Sequence, residues 1–197
     1  MVFDRVLPID YGFVILPCMP VLPEKTELER VILFRSSVTD AEEIFYAYAS
    51  KPEATKYLSW KTHETIEDTR AYLAIVEKTR RQGLQASFSV RLKNSNRLIG
   101  ACGCTFSDGL FQVGYVFSPV FWGMGFATES CRGLLSEILK LKQVNRICSF
   151  VDVDNHASAR VLEKSGFKQE QIAPEYFIAH NQGGIRKDAR IFSYPLQ

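Results

Sequence analysis

With 197 residues, 46% of them apolar and 23% charged, the chain has the size and composition of one globular domain, which excludes collagen, coiled coil and wholesale disorder. Twenty-four Lys and Arg against 22 Asp and Glu leave a net charge of +2, so charge points neither to nucleic acid nor to an anionic membrane as partner. No apolar run approaches the ~18 residues of a membrane span. The odd cysteine count, Cys18, Cys102, Cys104, Cys131 and Cys148, in a chain this long predicts reduced, buried thiols. Cys102 and Cys104 have no second Cys/His pair to complete four zinc ligands, so no metal is expected. Asp4, Asp10, Pro8 and Pro17 do not fit a secretory signal, and a cytoplasmic location is expected.

Residues 1–28 carry Pro8, Pro17, Pro20 and Pro23 and predict an irregular extension ahead of a single domain over 29–197. A first strand is expected at Val31–Phe34. Thr39 and Glu42 have capping-box spacing and open a helix with Ile44, Phe45 and Tyr48 on one face. A second helix over 66–81 starts at the Thr65/Asp68 pair, turns Tyr72, Leu73 and Val76 inward and stops at Gly83. Strands at 86–92, 97–106 and 111–117 are separated by turn residues Asn94–Asn96 and Ser107–Gly109, which predicts an antiparallel meander. A helix over 127–142 buries Cys131, Leu134, Leu135, Ile138 and Leu139. A strand at 146–153 follows, then a helix capped by Asn155 and stopped by Gly166, a strand from Phe167 and a last arm over 189–194. The pattern is mixed α/β around one sheet.

Two stretches could carry chemistry. Phe117–Glu129 reads as a strand end, a turn with Gly123 and Gly125, and a helix start. Such a turn aims free backbone N–H groups and the positive helix end at one point, a site for a phosphate. No Gly-Lys-Ser/Thr follows, so it is not a P-loop, and Thr128 stands where a dinucleotide fingerprint needs its third small residue. An ordinary tight connection has the same signature. In the second stretch, Asn155 and Ser158 share one side of a helix start, although Asn155 serves equally as a plain N-cap.

Asp40 with Ile44 and Phe45, the stretch 51–60, Ile99 and Gly100, Gly114 and Tyr115, Phe121–Glu129 and Asn155–Phe167 together resemble the GNAT superfamily of acyl-CoA-dependent N-acetyltransferases, in the RimJ/RimL-like branch. The resemblance runs over about 29–194. It implies a mostly antiparallel sheet, flanked by about four helices and splayed between its fourth and fifth strands, with acetyl-CoA as cosubstrate. The amides of Trp122, Gly123, Met124, Gly125, Phe126, Ala127 and Thr128 would then hold the coenzyme diphosphate, with Trp122 in place of the usual Gln or Arg. Pantetheine would bond to backbone near Val116 and Phe117, where an N–H could also serve the thioester oxyanion. Asn155 would face the pantetheine arm, and Ser158 the thiol, as donor or through water.

The tyrosine acid of many relatives corresponds here to Leu162, and a glutamate used by some to Phe150. No base is assigned: Asp152, Asp154 and Glu175 read as solvated, His63, His156 and His180 as isolated, and Asp188 as structural. The resemblance implies acetyl transfer to a primary amine, foremost a protein N-terminal α-amine of ribosomal-protein type, in a monomer or homodimer. The alternatives are a small-molecule amine acetyltransferase and a non-catalytic acyl-CoA-binding module.

Overall fold

The computed structural model describes residues 22–196. One eight-stranded sheet runs in the order β1-β2-β3-β4-β5-β6-β8-β7. Its strands are β1 (Lys25–Glu27), β2 (Val31–Arg35), β3 (Gln85–Leu92), β4 (Leu98–Ser107), β5 (Leu110–Phe117), β6 (Arg146–Asp152), β7 (Lys168–Ala179) and β8 (Ile185–Tyr194). Every neighbouring pair is antiparallel except β5 and β6. Parallel neighbours need a crossover, and helix α4 (Phe126–Ile138) supplies it. The other helices are α1 (Ala41–Ile44), which runs on into a π turn over Phe45–Ala49, α2 (Pro52–Thr55), α3 (Ile66–Arg81) and α5 (His156–Lys164).

Helices cover both faces. On one, Cys131, Leu134, Leu135 and Ile138 of α4 and Ala159 and Leu162 of α5 pack on Phe88, Cys102, Cys104, Phe111, Val113 and Ile147 of the sheet. Each large apolar side chain buried there contributes roughly 1.5–3 kcal/mol. On the other, Ala41 and Ile44 of α1 and Leu73 of α3 join Tyr48 and Trp60 over Leu98, Ala101 and Val116. The four described cysteines are free, and burial raises their thiol pKa values, Cys104 to about 12 and Cys131 to about 11.

Much of the expected punctuation is present. Thr65 and Asp68 make a reciprocal capping box at α3. Asp108 and Gly109, with φ of 46° and 77°, turn β4 into β5 as a two-residue hairpin.

Four expectations need correction. The box ahead of α1 is Ser37 with Asp40, not Thr39 with Glu42. Asp40 is drawn inward because its carboxylate also accepts from Ser89 Oγ at 2.7 Å and pairs with Arg91 at 2.9 Å. Helix α4 ends at Ile138 rather than 142, since the chain tightens into i→i−3 bonds at Lys140 and Leu141. Leu141 therefore packs on the core and Leu139 is left 44% exposed. Residues 22–28, expected to be irregular, include β1 and a fully buried Leu22, whose carbonyl accepts from Arg35; residues 1–21 lie outside the described residues. Asp152, expected at the surface, is 1% exposed and pairs with Lys187 at 3.1 Å. Asp188 is structural as expected, its carboxylate accepting from the Glu175 amide at 2.9 Å.

Candidate active site

The site begins where β5 and β6 part. They pair in parallel only at Leu110/Arg146, Phe111/Ile147 and Gln112/Cys148. One step further the link is a side chain, with Ser149 Oγ donating to the Val113 carbonyl at 2.9 Å. Beyond it both strands continue, to Phe117 and Asp152, without pairing each other. Each instead keeps its outer neighbour, β4 or β8.

Backbone polarity along the opening follows from the ladder. Ser118 N donates to Ile99 O, and in an antiparallel pair hydrogen-bonding direction alternates. Val116 therefore faces β4, and its carbonyl lies against Gly100, where even a Cβ would come within 2.5 Å of it. Tyr115 and Phe117 present their backbone groups to the opening. This corrects the expectation for Val116: its backbone belongs to the ladder, while its side chain faces α1 and α3. Trp122 Nε1 donates to the Phe117 carbonyl at 2.9 Å, which leaves the Phe117 N–H and both backbone groups of Tyr115 along the opening.

The loop at the end of β5 turns through Gly123 (φ 77°) and Gly125 (φ 83°), left-handed values that suit glycine. Gly125 is the N-cap of α4, and no side chain caps the helix, so its first-turn amides lack protein acceptors. Gly123, Met124 and Gly125 are exposed. A Cβ on Gly123 would meet nothing within 4 Å, whereas one on Gly125 would meet Arg30 Nη2 at 3.4 Å. The open approach to the loop is thus at Gly123.

Arg30, which the sequence pattern did not single out, braces this loop from behind. Its Nη1 donates to the Met124 carbonyl at 2.9 Å, its Nε and backbone N each reach the Glu129 carboxylate at 2.7 Å, and its guanidinium lies 4.6 Å from the Phe126 ring centroid. Glu129 is an acid in the first turn of a helix that would otherwise receive an anion, and Arg30 neutralises it. Arg30→Ala should cost about 1 kcal/mol of stability, given the partial exposure of the pair, and weaken binding of the coenzyme A that the resemblance implies about tenfold, read by calorimetry. Unchanged affinity would make Arg30 a brace for folding alone.

On the far side of the opening, Asn155 Oδ1 accepts from Ser158 N at 3.1 Å and caps α5. Ser158 Oγ lies 2.9 Å from Tyr115 Oη, which also donates to the Ser158 carbonyl at 2.9 Å. The loop, the backbone of Tyr115 and Phe117, and the Asn155/Ser158 turn thus border one opening. Phe150 brings no acid there; it packs against Tyr176 and Phe177. Asp152 at the end of β6 and Asp154 just beyond it both pair with Lys187. On the opposite sheet face, Trp60, His63 and Tyr72 line a cavity of about 40 Å³ together with Ala101 and Val116. His63 Nδ1 lies 2.8 Å from Thr69 Oγ1, and burial lowers the imidazole pKa, keeping it neutral at pH 7. Among the described residues no cluster of His, Cys, Asp and Glu could hold a metal.

A parallel pair that splays, with a glycine turn and an uncapped helix at its mouth, is the arrangement expected from the resemblance to acyl-CoA-dependent acyltransferases. Residues 30–168 match the acetyltransferase (GNAT) domain family, and the chain belongs to it. It is an N-acetyltransferase of that family. Over 170 residues it is 28% identical to the uncharacterised N-acetyltransferase YoaA of Bacillus subtilis (strain 168), covering 85% of this chain and 94% of that one. Its fold is similar to RimL, a ribosomal L7/L12 alpha-N-protein acetyltransferase solved in complex with coenzyme A, with TM-score 0.78, 16% identity and 88% and 98% of the two chains covered. It is also similar to Mycobacterium smegmatis RimJ in complex with CoA-disulfide, with TM-score 0.76, 17% identity and coverage of 86% and 85%.

Proposed function

We propose that the chain moves the acetyl group of acetyl-CoA to the N-terminal α-amine of a protein, of the ribosomal-protein type. The observation that carries this is the opening beyond Gln112 and Cys148, with the uncapped first turn of α4 at its mouth. The amides from Trp122 to Thr128 would bind the diphosphate, with the α4 dipole adding to their attraction. Pantetheine would lie along the Tyr115 and Phe117 backbone, and Asn155 would face its arm. The Phe117 N–H is the donor for the thioester oxygen as it gains charge. Ser158 meets the sulfur.

The amine class follows from what borders the site. Asp152 and Asp154 are both engaged by Lys187 and so are poor proton acceptors, which supports an amine that needs little help to lose its proton. An α-amine, pKa ~7.7–8.0, is partly neutral at pH 7, whereas a lysine amine at ~10.4 is not. The buried free thiols fit a reducing compartment such as the cytoplasm.

Acetyl-CoA at ~100 times its dissociation constant should add about 2.7 kcal/mol of stability, a rise of roughly 5–11 °C in Tm for a chain of this size. A Tm indifferent to millimolar acetyl-CoA would sink the proposal. The acceptor is tested by thiol release with peptides carrying a free α-amine, the same peptides with that amine blocked and a lysine present, and small polyamines. Turnover is expected with the first set; turnover confined to polyamines would assign a small-molecule acceptor instead.

A further inference from the structure

We propose that Tyr115 is a positioning residue for the thiol end of the site: its hydroxyl, bonded to Ser158, holds the Ser158 hydroxyl so that it donates a hydrogen bond to the coenzyme sulfur as the C–S bond breaks. This rests on acetyl-CoA occupying the opening between β5 and β6. Ser149 Oγ on the Val113 carbonyl closes the narrow end of that opening, and the Tyr115–Ser158 contact is the next link across it. The deepest part of a ligand lying between the strands meets that contact.

Two proton arrangements fit the same heavy-atom positions. Tyr115 Oη lies 2.9 Å from both the carbonyl and the Oγ of Ser158. Without a charge on sulfur, Tyr115 donates to the Ser158 carbonyl and Ser158 Oγ–H donates to Tyr115 Oη. With a thiolate present, Ser158 Oγ–H turns to the sulfur, and its oxygen then accepts from Tyr115. The serine becomes a better donor because its own oxygen is polarised by the phenol. Tyr115 keeps its proton throughout, since burial pushes its pKa far above the usual range. In the step itself the amine nitrogen forms the C–N bond, the C–S bond breaks with its electron pair on sulfur, and the ammonium proton passes to solvent. Coenzyme A leaves as a thiolate that water later protonates.

The surrounding groups leave the bound thiol as the one to follow. Cys102 on β4, opposite Tyr115 in the ladder, and Cys131 on α4 are held protonated by burial. Asp152 of β6 is tied to Lys187, and His156 of α5 lies 3.1 Å from Arg190 Nη2. Desulfo-coenzyme A cancels whatever these contribute to binding.

Dissociation constants for coenzyme A and desulfo-coenzyme A, measured calorimetrically from pH 7.0 to 9.5, read the effect without an acceptor. A serine donor stabilises bound thiolate, so the wild-type preference for coenzyme A over the desulfo compound should grow about tenfold with pH, one unit below the ordinary thiol pKa of ~8.5. Tyr115→Phe should cut that growth to about threefold, Ser158→Ala should abolish it, and the double variant should match Ser158→Ala. A wild-type pH response in Tyr115→Phe, in Ser158→Ala, or a double variant worse than Ser158→Ala in this ratio overturns the proposal. Wild-type protein that binds neither compound fails the acetyl-CoA reading itself, whereas equal, pH-independent binding of both fails only the Tyr115–Ser158 role.

Discussion

Gly123→Asp should lower coenzyme A affinity at least a hundredfold while leaving the fold nearly intact. Gly123 has φ 77°, and Asp is among the residues that tolerate left-handed backbone, so the conformational cost is about 1 kcal/mol. A Cβ there meets nothing within 4 Å, so the free protein has no clash to relieve. What the carboxylate meets is the incoming diphosphate. Two unit charges ~4 Å apart repel by about 4 kcal/mol at an effective dielectric near 20, and ~2.7 kcal/mol already amounts to a hundredfold. Gly123→Asn separates the terms, because it keeps the size and the backbone tolerance without the charge; it should bind coenzyme A more tightly than the aspartate. The measurement is calorimetric affinity beside the ligand-free Tm. Wild-type affinity in the aspartate variant would move the anion site away from this loop. Gly125 is a poorer probe, since its Cβ would point toward Arg30 and a side chain there would disturb the brace.

Ser158→Ala should reduce kcat about tenfold to two hundredfold and change the dissociation constant of acetyl-CoA less than about threefold. A hydrogen bond to a charged group is worth roughly 1.5–3 kcal/mol, and one made chiefly as sulfur gains charge appears in kcat. Abolition is not expected, because a thiolate with pKa ~8.5 is already a good leaving group. The α5 cap survives the change, since the capping bond uses the Ser158 amide and not its hydroxyl. Steady-state rates with a peptide acceptor, under conditions where chemistry limits turnover, decide it. A wild-type kcat would return Ser158 to an ordinary residue of a helix start.

Local chemistry is what the sequence displays, and the parts of this molecule set by local chemistry were legible in it. The α3 capping box, the Asp108–Gly109 hairpin, the glycine turn into α4 and the Asn155 cap each depend on residues within four positions of one another. Where a side chain answers to a distant partner, the local pattern misleads. Asp40 answers to Arg91 and Ser89 as well as to the Ser37 amide, and the capping box forms on Ser37 and Asp40 in place of the expected Thr39 and Glu42. Arg30 sits 99 residues from Glu129 and Tyr115 sits 43 from Ser158, so neither contact leaves a periodic signal. The opening itself was expected from family resemblance alone. That Val116 turns its backbone into the ladder while Tyr115 and Phe117 face outward depends on which neighbour β5 pairs with first, and no motif records that phase.

The two margins of the sheet carry a consequence for how copies of this chain can meet. An open strand edge invites another chain to add to it. At one margin β1 is only three residues long and bears Lys25 and Glu27, which pair with each other. At the other, β7 departs from regular register between Gln169 and Gln171 and again between Ala173 and Phe177, around Pro174 and a Glu175 at φ 47°. A missing amide at the proline and two irregularities break the row of donors and acceptors that a second chain would need. Among the described residues, continuous sheet extension between molecules is therefore disfavoured at both edges, which favours contacts made by side chains of the helical faces and loops.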